Sequence, residues 1–143
     1  MKVNVRQLRD GFIEAMHRIE PRLLLTLELK PPTTVERGKL RVEEFLKRVS
    51  RAGLGKRWHR RPPSARLRAY GFPEHMDSNF HYHLVLGGPE RALDAAVLGE
   101  PIWKALSPDT HFWARGIENK EGAVRYVIKN LADPRSIDNF IAF

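Results

Sequence analysis

Hydrophobic and polar positions along the chain alternate between two periods, and this predicts a mixed succession of helices and strands. Apolar residues recur at helical spacing over residues 5–19, whereas residues 23–29 form a short, almost continuous apolar run typical of a buried strand. An apolar stripe follows the capping-box pattern at residues 33–36, which predicts a second helix. The first third of the chain is therefore predicted as helix, strand and helix.

The rest of the chain continues the alternation. Residues 65–72 and 80–86 have strand character and are joined by a turn-rich stretch, which predicts an antiparallel hairpin. Residues 90–98 are predicted as a helix, residues 111–117 as a strand and residues 119–131 as a last helix. This order favours an α+β fold, a central antiparallel β-sheet with helices packed mainly on one face.

Length and composition set the broad class of the protein. A chain of 143 residues with 42% hydrophobic residues is expected to form one domain over residues 1–143. No apolar run is long enough to span a membrane and no signal peptide is visible, so we expect a cytoplasmic protein of bacterial or viral origin. The chain has no cysteine, so any metal ion must be held by His, Asp or Glu.

The charge balance points to a polyanionic partner. Lys and Arg number 25 against 17 acidic residues, a net charge of +8, which favours nucleic acid. No acidic residue occurs between residues 45 and 73. Within this stretch we define the basic segment as residues 56–68, whose candidate DNA-binding residues are Lys56, Arg57, Trp58, Arg60, Arg61, Arg66 and Arg68. The alternative is a solvated loop with a basic bias.

Two histidines stand out in the strand predicted at residues 80–86. His81 and His83 share one face, because alternate residues of a strand point the same way. Their rings can approach one metal ion, although two imidazoles alone would hold a divalent ion poorly. Glu74, His75 and Asp77 all lie in or beside the preceding turn and could each supply a third ligand.

A second pair of residues adds to this pattern. Tyr126 and Lys129 are three positions apart on the last predicted helix and therefore share a face. Together with the histidines, some forty residues earlier, they resemble the HUH endonucleases. In that family a His-hydrophobic-His strand holds the metal and a Tyr-x-x-Lys helix carries the nucleophile. The order of the motifs is similar to that of the rolling-circle replication initiators (Rep type).

The resemblance covers residues 23–131, although only the two short motifs are specific, and it implies a site and an activity. The metal, Mn²⁺ or Mg²⁺, would lie on the open face of an RRM/ferredoxin-like sheet, held by His81, His83 and Glu74. Tyr126 would cut single-stranded DNA by forming a 5′-phosphotyrosine intermediate. Lys129 would orient the nucleophile or neutralise the intermediate.

Further implications concern the partners. The DNA would be an origin or an element end, in a bacterial, plasmid or phage setting. A helicase or host replication proteins are possible partners, and a monomer or weak oligomer is expected. Two alternatives are a single-strand transposase of the same superfamily and a non-catalytic nucleic-acid-binding module that has kept the fold.

One pattern in the last helix opposes this reading. An apolar arc formed by Val124, Val127, Ile128 and Leu131 lies opposite Tyr126 and Lys129. A helix packed flat by this arc would turn Tyr126 away from the metal. The two predictions agree only if the helix lies at the margin of the sheet, where Ile137, Phe140, Ile141 and Phe143 would cover the arc.

Four other residues carry weaker expectations. Trp103 and Trp113 are both predicted to lie in the core. Thr26 and Glu28, on the first strand, are predicted as ordinary sheet residues, with a place beside the site as the alternative.

Overall fold

A computed structural model describes residues 4–143 and confirms the α+β class. Its five-stranded antiparallel sheet has the order β4-β1-β3-β2-β5. The strands are β1 Leu23–Glu28, β2 Arg68–Glu74, β3 His81–Gly87, β4 Phe112–Gly116 and β5 Ile141–Ala142. The helices are α1 Val5–Arg18, α2 Val35–Leu54, α3 Glu90–Val97, α4 Glu100–Leu106, α5 Lys120–Ile128 and α6 Pro134–Asp138. No helix in the described part of the chain is long and apolar enough to cross a membrane.

One face of the sheet carries the larger core. Every second residue of β1 and β3 points to this face, where residues such as Leu25 and Leu84 are fully buried. Phe45 of α2 packs there edge-on against Trp103 of α4, with ring centroids 5.8 Å apart. The Trp103 indole is fully buried and donates a hydrogen bond to the Glu28 carbonyl, 3.1 Å away. Trp103 is therefore a core residue, as predicted.

The opposite face carries α1 and α5, so helices lie on both sides of the sheet. Met16 of α1 and Val127 of α5 pack over Leu24, Phe72 and Val85 of the three central strands. This second core is smaller and leaves the edge strand β4 largely uncovered, since Trp113 is 52% exposed. The prediction that Trp113 lies in the core is wrong, because β4 presents it beyond the reach of α1 and α5.

The register of the central strands places the predicted site residues in rows. Glu74, the last residue of β2, faces His81 across the hairpin, and Phe72 faces His83. On the other side of β3, Thr26 faces His83. Residues that face each other on antiparallel strands lie on the same side of the sheet. The histidines and Glu74 therefore share the face that carries α1 and α5.

Several element boundaries differ from the sequence prediction. The strand predicted at residues 65–72 begins three residues later, because Pro63–Ala65 form a 3₁₀ turn, and it runs on to Glu74. Helix α4 follows the predicted helix and was not itself predicted; Pro101 lies in its first turn, where proline is compatible with a helix. The short elements α6 and β5 were not predicted.

Candidate metal centre and active site

Three side chains converge at the end of the β2–β3 hairpin. Glu74 Oε2 lies 2.7 Å from His83 Nε2 and 3.4 Å from His81 Nε2. The two Nε2 atoms are 3.0 Å apart. Glu74 and His83 are buried, and the His81 side chain is 12% exposed. Among the described residues, Glu74, His81 and His83 form a group that can bind a metal ion. We call these three residues the metal group.

The Nδ1 atoms of the two histidines make hydrogen bonds that orient the imidazole rings. His81 Nδ1 lies 2.6 Å from the Asn79 carbonyl oxygen, which can only accept, so Nδ1 carries the proton and the Nε2 lone pair faces the group. His83 Nδ1 lies 2.9 Å from Thr26 Oγ1, a hydroxyl that can accept the same kind of bond. Thr26 thus lies beside the site, the alternative that its sequence position left open. Such bonds hold imidazole ligands in the orientation that a metal requires.

The spacing of the three atoms suits a divalent cation. Ligands at right angles around an octahedral ion with bonds of about 2.1 Å lie about 3.0 Å apart, and the three separations here run from 2.7 to 3.4 Å. Glu74 Oε2 is buried without an aligned hydrogen-bond donor, and buried polar atoms of this kind need a partner. One carboxylate and two imidazoles are a common donor set for divalent metals.

The two rival ligands are placed elsewhere. Arg135 donates hydrogen bonds of 2.8 and 2.9 Å to the exposed Asp77 carboxylate. These bonds hold the pKa of Asp77 below its usual value. The exposed His75 ring lies 5.4 Å from the His81 ring, but it is not part of the three-ligand group. The hairpin register, which pairs Glu74 with His81, therefore selects Glu74.

The second oxygen of Glu74 is anchored by the end of α5. Asn130 Nδ2 donates to Glu74 Oε1 at 2.6 Å, and Lys129 Nζ lies 3.2 Å from the same oxygen. Burial raises the pKa of Glu74, but the adjacent His81 and His83 rings and Lys129 outweigh it, so the pKa lies well below its usual range. Glu74 is thus an anion whose free oxygen points at the imidazoles. Asn130 was not identified from the sequence.

Tyr126 lies beside this group. Its ring centroid is 4.7 Å from that of His83, and Lys129 Nζ lies 3.9 Å from the Tyr126 centroid. Tyr126 is 42% exposed, so a ligand can reach it. Helix α5 packs by Val124 and Val127 on the second core, next to the row that contains His83. The expectation that the helix lies at the margin of the sheet is wrong, because α5 packs over the central strands. Tyr126 nevertheless lies beside His83, although its helical face is opposite the apolar arc.

The residues expected to cover that arc divide between the two cores. Ile137 and Phe140 pack on the second core, as expected. Ile141 and Phe143 belong to the first core on the other side of the sheet, because β5 pairs with the edge of β2.

The basic segment lies away from the metal group. Its last residue, Arg68, begins β2, whereas Glu74 ends the same strand. The six residue steps between them span about 20 Å. Arg66 donates hydrogen bonds to the carbonyls of Arg61 and His59, which closes the loop on itself. Trp58 stacks on Phe143 with centroids 5.6 Å apart. Exposed basic side chains in the segment are Lys56, Arg57 and Arg60.

Comparisons with family models, curated proteins and solved structures give no match to this chain. The functional reading therefore rests on the geometry of the site and on the two short motifs.

Proposed function

We propose that this protein is a metal-dependent single-stranded DNA endonuclease and strand transferase, with Tyr126 as its nucleophile. The observation that carries the proposal is the position of Tyr126: a solvent-accessible phenol beside a buried Glu-His-His group, with a lysine ammonium against its ring. Aromatic hydroxyls next to a metal-binding group and a cation suit attack on a phosphodiester. The motifs resembling those of HUH replication initiators support the same chemistry.

In the proposed reaction, Tyr126 Oη attacks the phosphorus of a DNA phosphodiester. A bond forms between Oη and phosphorus, and the bond between phosphorus and the 3′ oxygen breaks. The phenolic proton is lost to solvent, and the departing 3′ oxygen takes up a proton. The product is a 5′-phosphotyrosine and a free 3′-hydroxyl, and because one phosphodiester replaces another, the step can run in reverse and join strands.

The surrounding residues have separate roles in this proposal. A divalent ion, Mn²⁺ or Mg²⁺, held by Glu74, His81 and His83 would draw negative charge from the scissile phosphate. Lys129 places a positive charge between Tyr126 and Glu74, where it can stabilise the phenolate or the phosphate as charge develops. Asn130 and Thr26 orient Glu74 and His83 through the hydrogen bonds described above.

An adduct assay tests the proposal. Labelled single-stranded oligonucleotides of random sequence are incubated with the protein and Mn²⁺, and the products are separated on a denaturing gel. Wild type is expected to give a protein-linked band that disappears with EDTA and in Tyr126→Phe and His81→Ala. Tyr70→Phe is the matched control, because Tyr70 lies on β2 outside the group and its variant should still form the adduct.

The same gel separates the proposal from its alternatives. Tight binding of the oligonucleotides without any adduct in Mn²⁺ or Mg²⁺ would support a non-catalytic nucleic-acid-binding module. An adduct formed only on hairpin-ended strands would favour a single-strand transposase. An adduct that persists in Tyr126→Phe would remove Tyr126 from the mechanism.

A further inference from the structure

A groove runs along the sheet between the edge strand β4 and helix α5. Its two halves share Leu24, Arg115 and Tyr126 and have volumes of about 540 and 280 Å³. Thr26 and Trp113 line the half nearer the metal group. We call this the β4–α5 groove. Tyr126 lines both halves, so a single strand of DNA lying in the groove would pass the proposed nucleophile.

Trp113 is the unusual residue of this groove. Trp113 is 52% exposed, and the exposed His111 ring lies 5.1 Å from its ring, tilted by 47°. An exposed aromatic ring of this kind can stack on a base. Trp113 faces Thr26, which faces His83 on the next strand, so the three residues form one row across the sheet. Two strand spacings separate Trp113 from His83, about 10 Å. The basic segment, by comparison, lies about 20 Å along β2 from Glu74.

Positive charge accompanies the exposed ring. Arg115 lies two residues further along β4, on the same face as Trp113, and is exposed. Among the described residues Arg115 has no ion pair, whereas Arg125 on α5 is engaged by Glu121 at 3.1 Å. The acidic Glu118 lines only the half of the groove that Trp113 does not. Proteins that bind single-stranded nucleic acid combine aromatic rings, which stack on bases, with positive charges, which contact phosphates. Trp113 and Arg115 offer one of each.

We infer that the β4–α5 groove holds the single strand, with a base stacked on Trp113 and a phosphate at Arg115. The inference deepens the proposed function and rests on it for the choice of DNA over RNA. It also shifts the main DNA contact from the basic segment, which the charge pattern favoured, to two residues of an edge strand. The basic segment would then contact a part of the bound DNA that lies further from Tyr126.

Binding measurements without cleavage test this inference. Fluorescence anisotropy of a labelled eight-residue oligo-dT is followed in EDTA over a range of salt concentrations. Trp113→Ala should weaken binding by about 5- to 150-fold, the loss of one stacked base, with an unchanged salt dependence, and Trp113→Phe should restore part of it. Arg115→Ala should reduce the slope of log K against log salt by about 0.7, the loss of one phosphate contact.

Arg51→Ala is the matched control, because it removes an exposed cation from α2, which packs on the opposite face of the sheet, and it should leave binding unchanged. Lys56→Ala compares the groove with the basic segment, and it should weaken binding of the short oligonucleotide less than Arg115→Ala does. Circular dichroism confirms that each variant is folded. Trp113 and Arg115 are both accessible on an edge strand, so we expect their variants to fold normally.

The outcomes separate this inference from the proposed function. If the wild type forms the covalent adduct but only Lys56→Ala weakens binding, the groove is overturned and the endonuclease stands. If Trp113→Ala and Arg115→Ala weaken binding as expected but no adduct ever forms, the groove stands and the endonuclease falls. If the wild type does not bind the oligonucleotide, the groove is overturned as well.

Discussion

Replacement of Glu74 by glutamine tests the metal group with little change in shape. The glutamine amide oxygen can still accept the hydrogen bond that Asn130 donates to Glu74 Oε1. The negative charge that faces His81 and His83 is lost, together with the ion pair to Lys129. Glu74 is buried, and its low pKa keeps the carboxylate charged at neutral pH, so its interactions with the imidazoles and Lys129 stabilise the wild type there. The metal-free variant should therefore lose stability at neutral pH.

The effect that is specific to the metal ligands should appear when metal is added, as a smaller rise in Tm. At a Mn²⁺ concentration 100 times the dissociation constant, binding stabilises the wild type by about 2.7 kcal/mol, which for a chain of 143 residues is a rise in Tm of roughly 10 °C. Changing a residue that only hydrogen-bonds to a metal ligand weakens metal binding by about 10- to 100-fold. Loss of a ligand itself should therefore weaken Mn²⁺ binding by at least about 100-fold. At the same Mn²⁺ concentration the variant then gains about 0.4 kcal/mol, or roughly 1–2 °C.

Differential scanning fluorimetry with and without Mn²⁺ measures both values. Glu28→Gln is the control, since Glu28 faces His81 across β1 and β3 but points its carboxylate at His111, 3.4 Å from Nδ1. Glu28→Gln should keep the wild-type rise in Tm. A Glu74→Gln variant that also keeps the full rise would refute the three-ligand group, and loss of the rise in Glu28→Gln would place the ion elsewhere.

Three further changes probe the surroundings of the site. Thr26→Val removes the partner of the neighbouring imidazole and should weaken Mn²⁺ binding by about 10- to 100-fold in calorimetry; unchanged affinity would mean that Thr26 orients nothing. Gly71→Ala should cost about 1–3 kcal/mol in urea unfolding, because its Cβ would press on the backbone of the adjacent strand β3, whereas Gly11→Ala, in open space on α1, should gain about 0.5–1 kcal/mol. Equal effects of the two glycine changes would contradict this packing. Arg135→Gln should let the pKa of Asp77 rise towards 3.8 in an NMR titration, and an unmoved pKa would show that Arg135 is not its cause.

Much of the fold follows from local patterns in the chain. The period of two that places His81 and His83 on one face is visible in the residues, and the hairpin that brings Glu74 opposite His81 is indicated by the turn-rich stretch between the strands. The elements that were missed are short or depend on tertiary contacts. Strand β5 has two residues and exists because it pairs with the edge of β2.

The site itself was only partly predictable, because side-chain neighbours depend on how elements pack. Asn130 follows the last turn of α5 and carries no periodic signal, yet its amide reaches Glu74 on the face of the sheet that carries α5. Trp113 looked like a core residue because its strand is apolar, but the edge position of β4 leaves it exposed. The basic segment has the right charge for DNA, but its distance from the metal group follows from the direction of β2, which composition does not reveal.

Mapping the covalent adduct by mass spectrometry tests directly whether Tyr126 is the nucleophile. After reaction with an oligonucleotide in Mn²⁺ and digestion with nuclease and trypsin, residues 126–129 should be released as one peptide, because Arg125 and Lys129 flank the cleavage points. We expect this peptide to carry the mass of a nucleotide on Tyr126. A nucleotide on any other residue, or cleavage of the DNA with no nucleotide on the protein, would contradict the role of Tyr126 as the nucleophile.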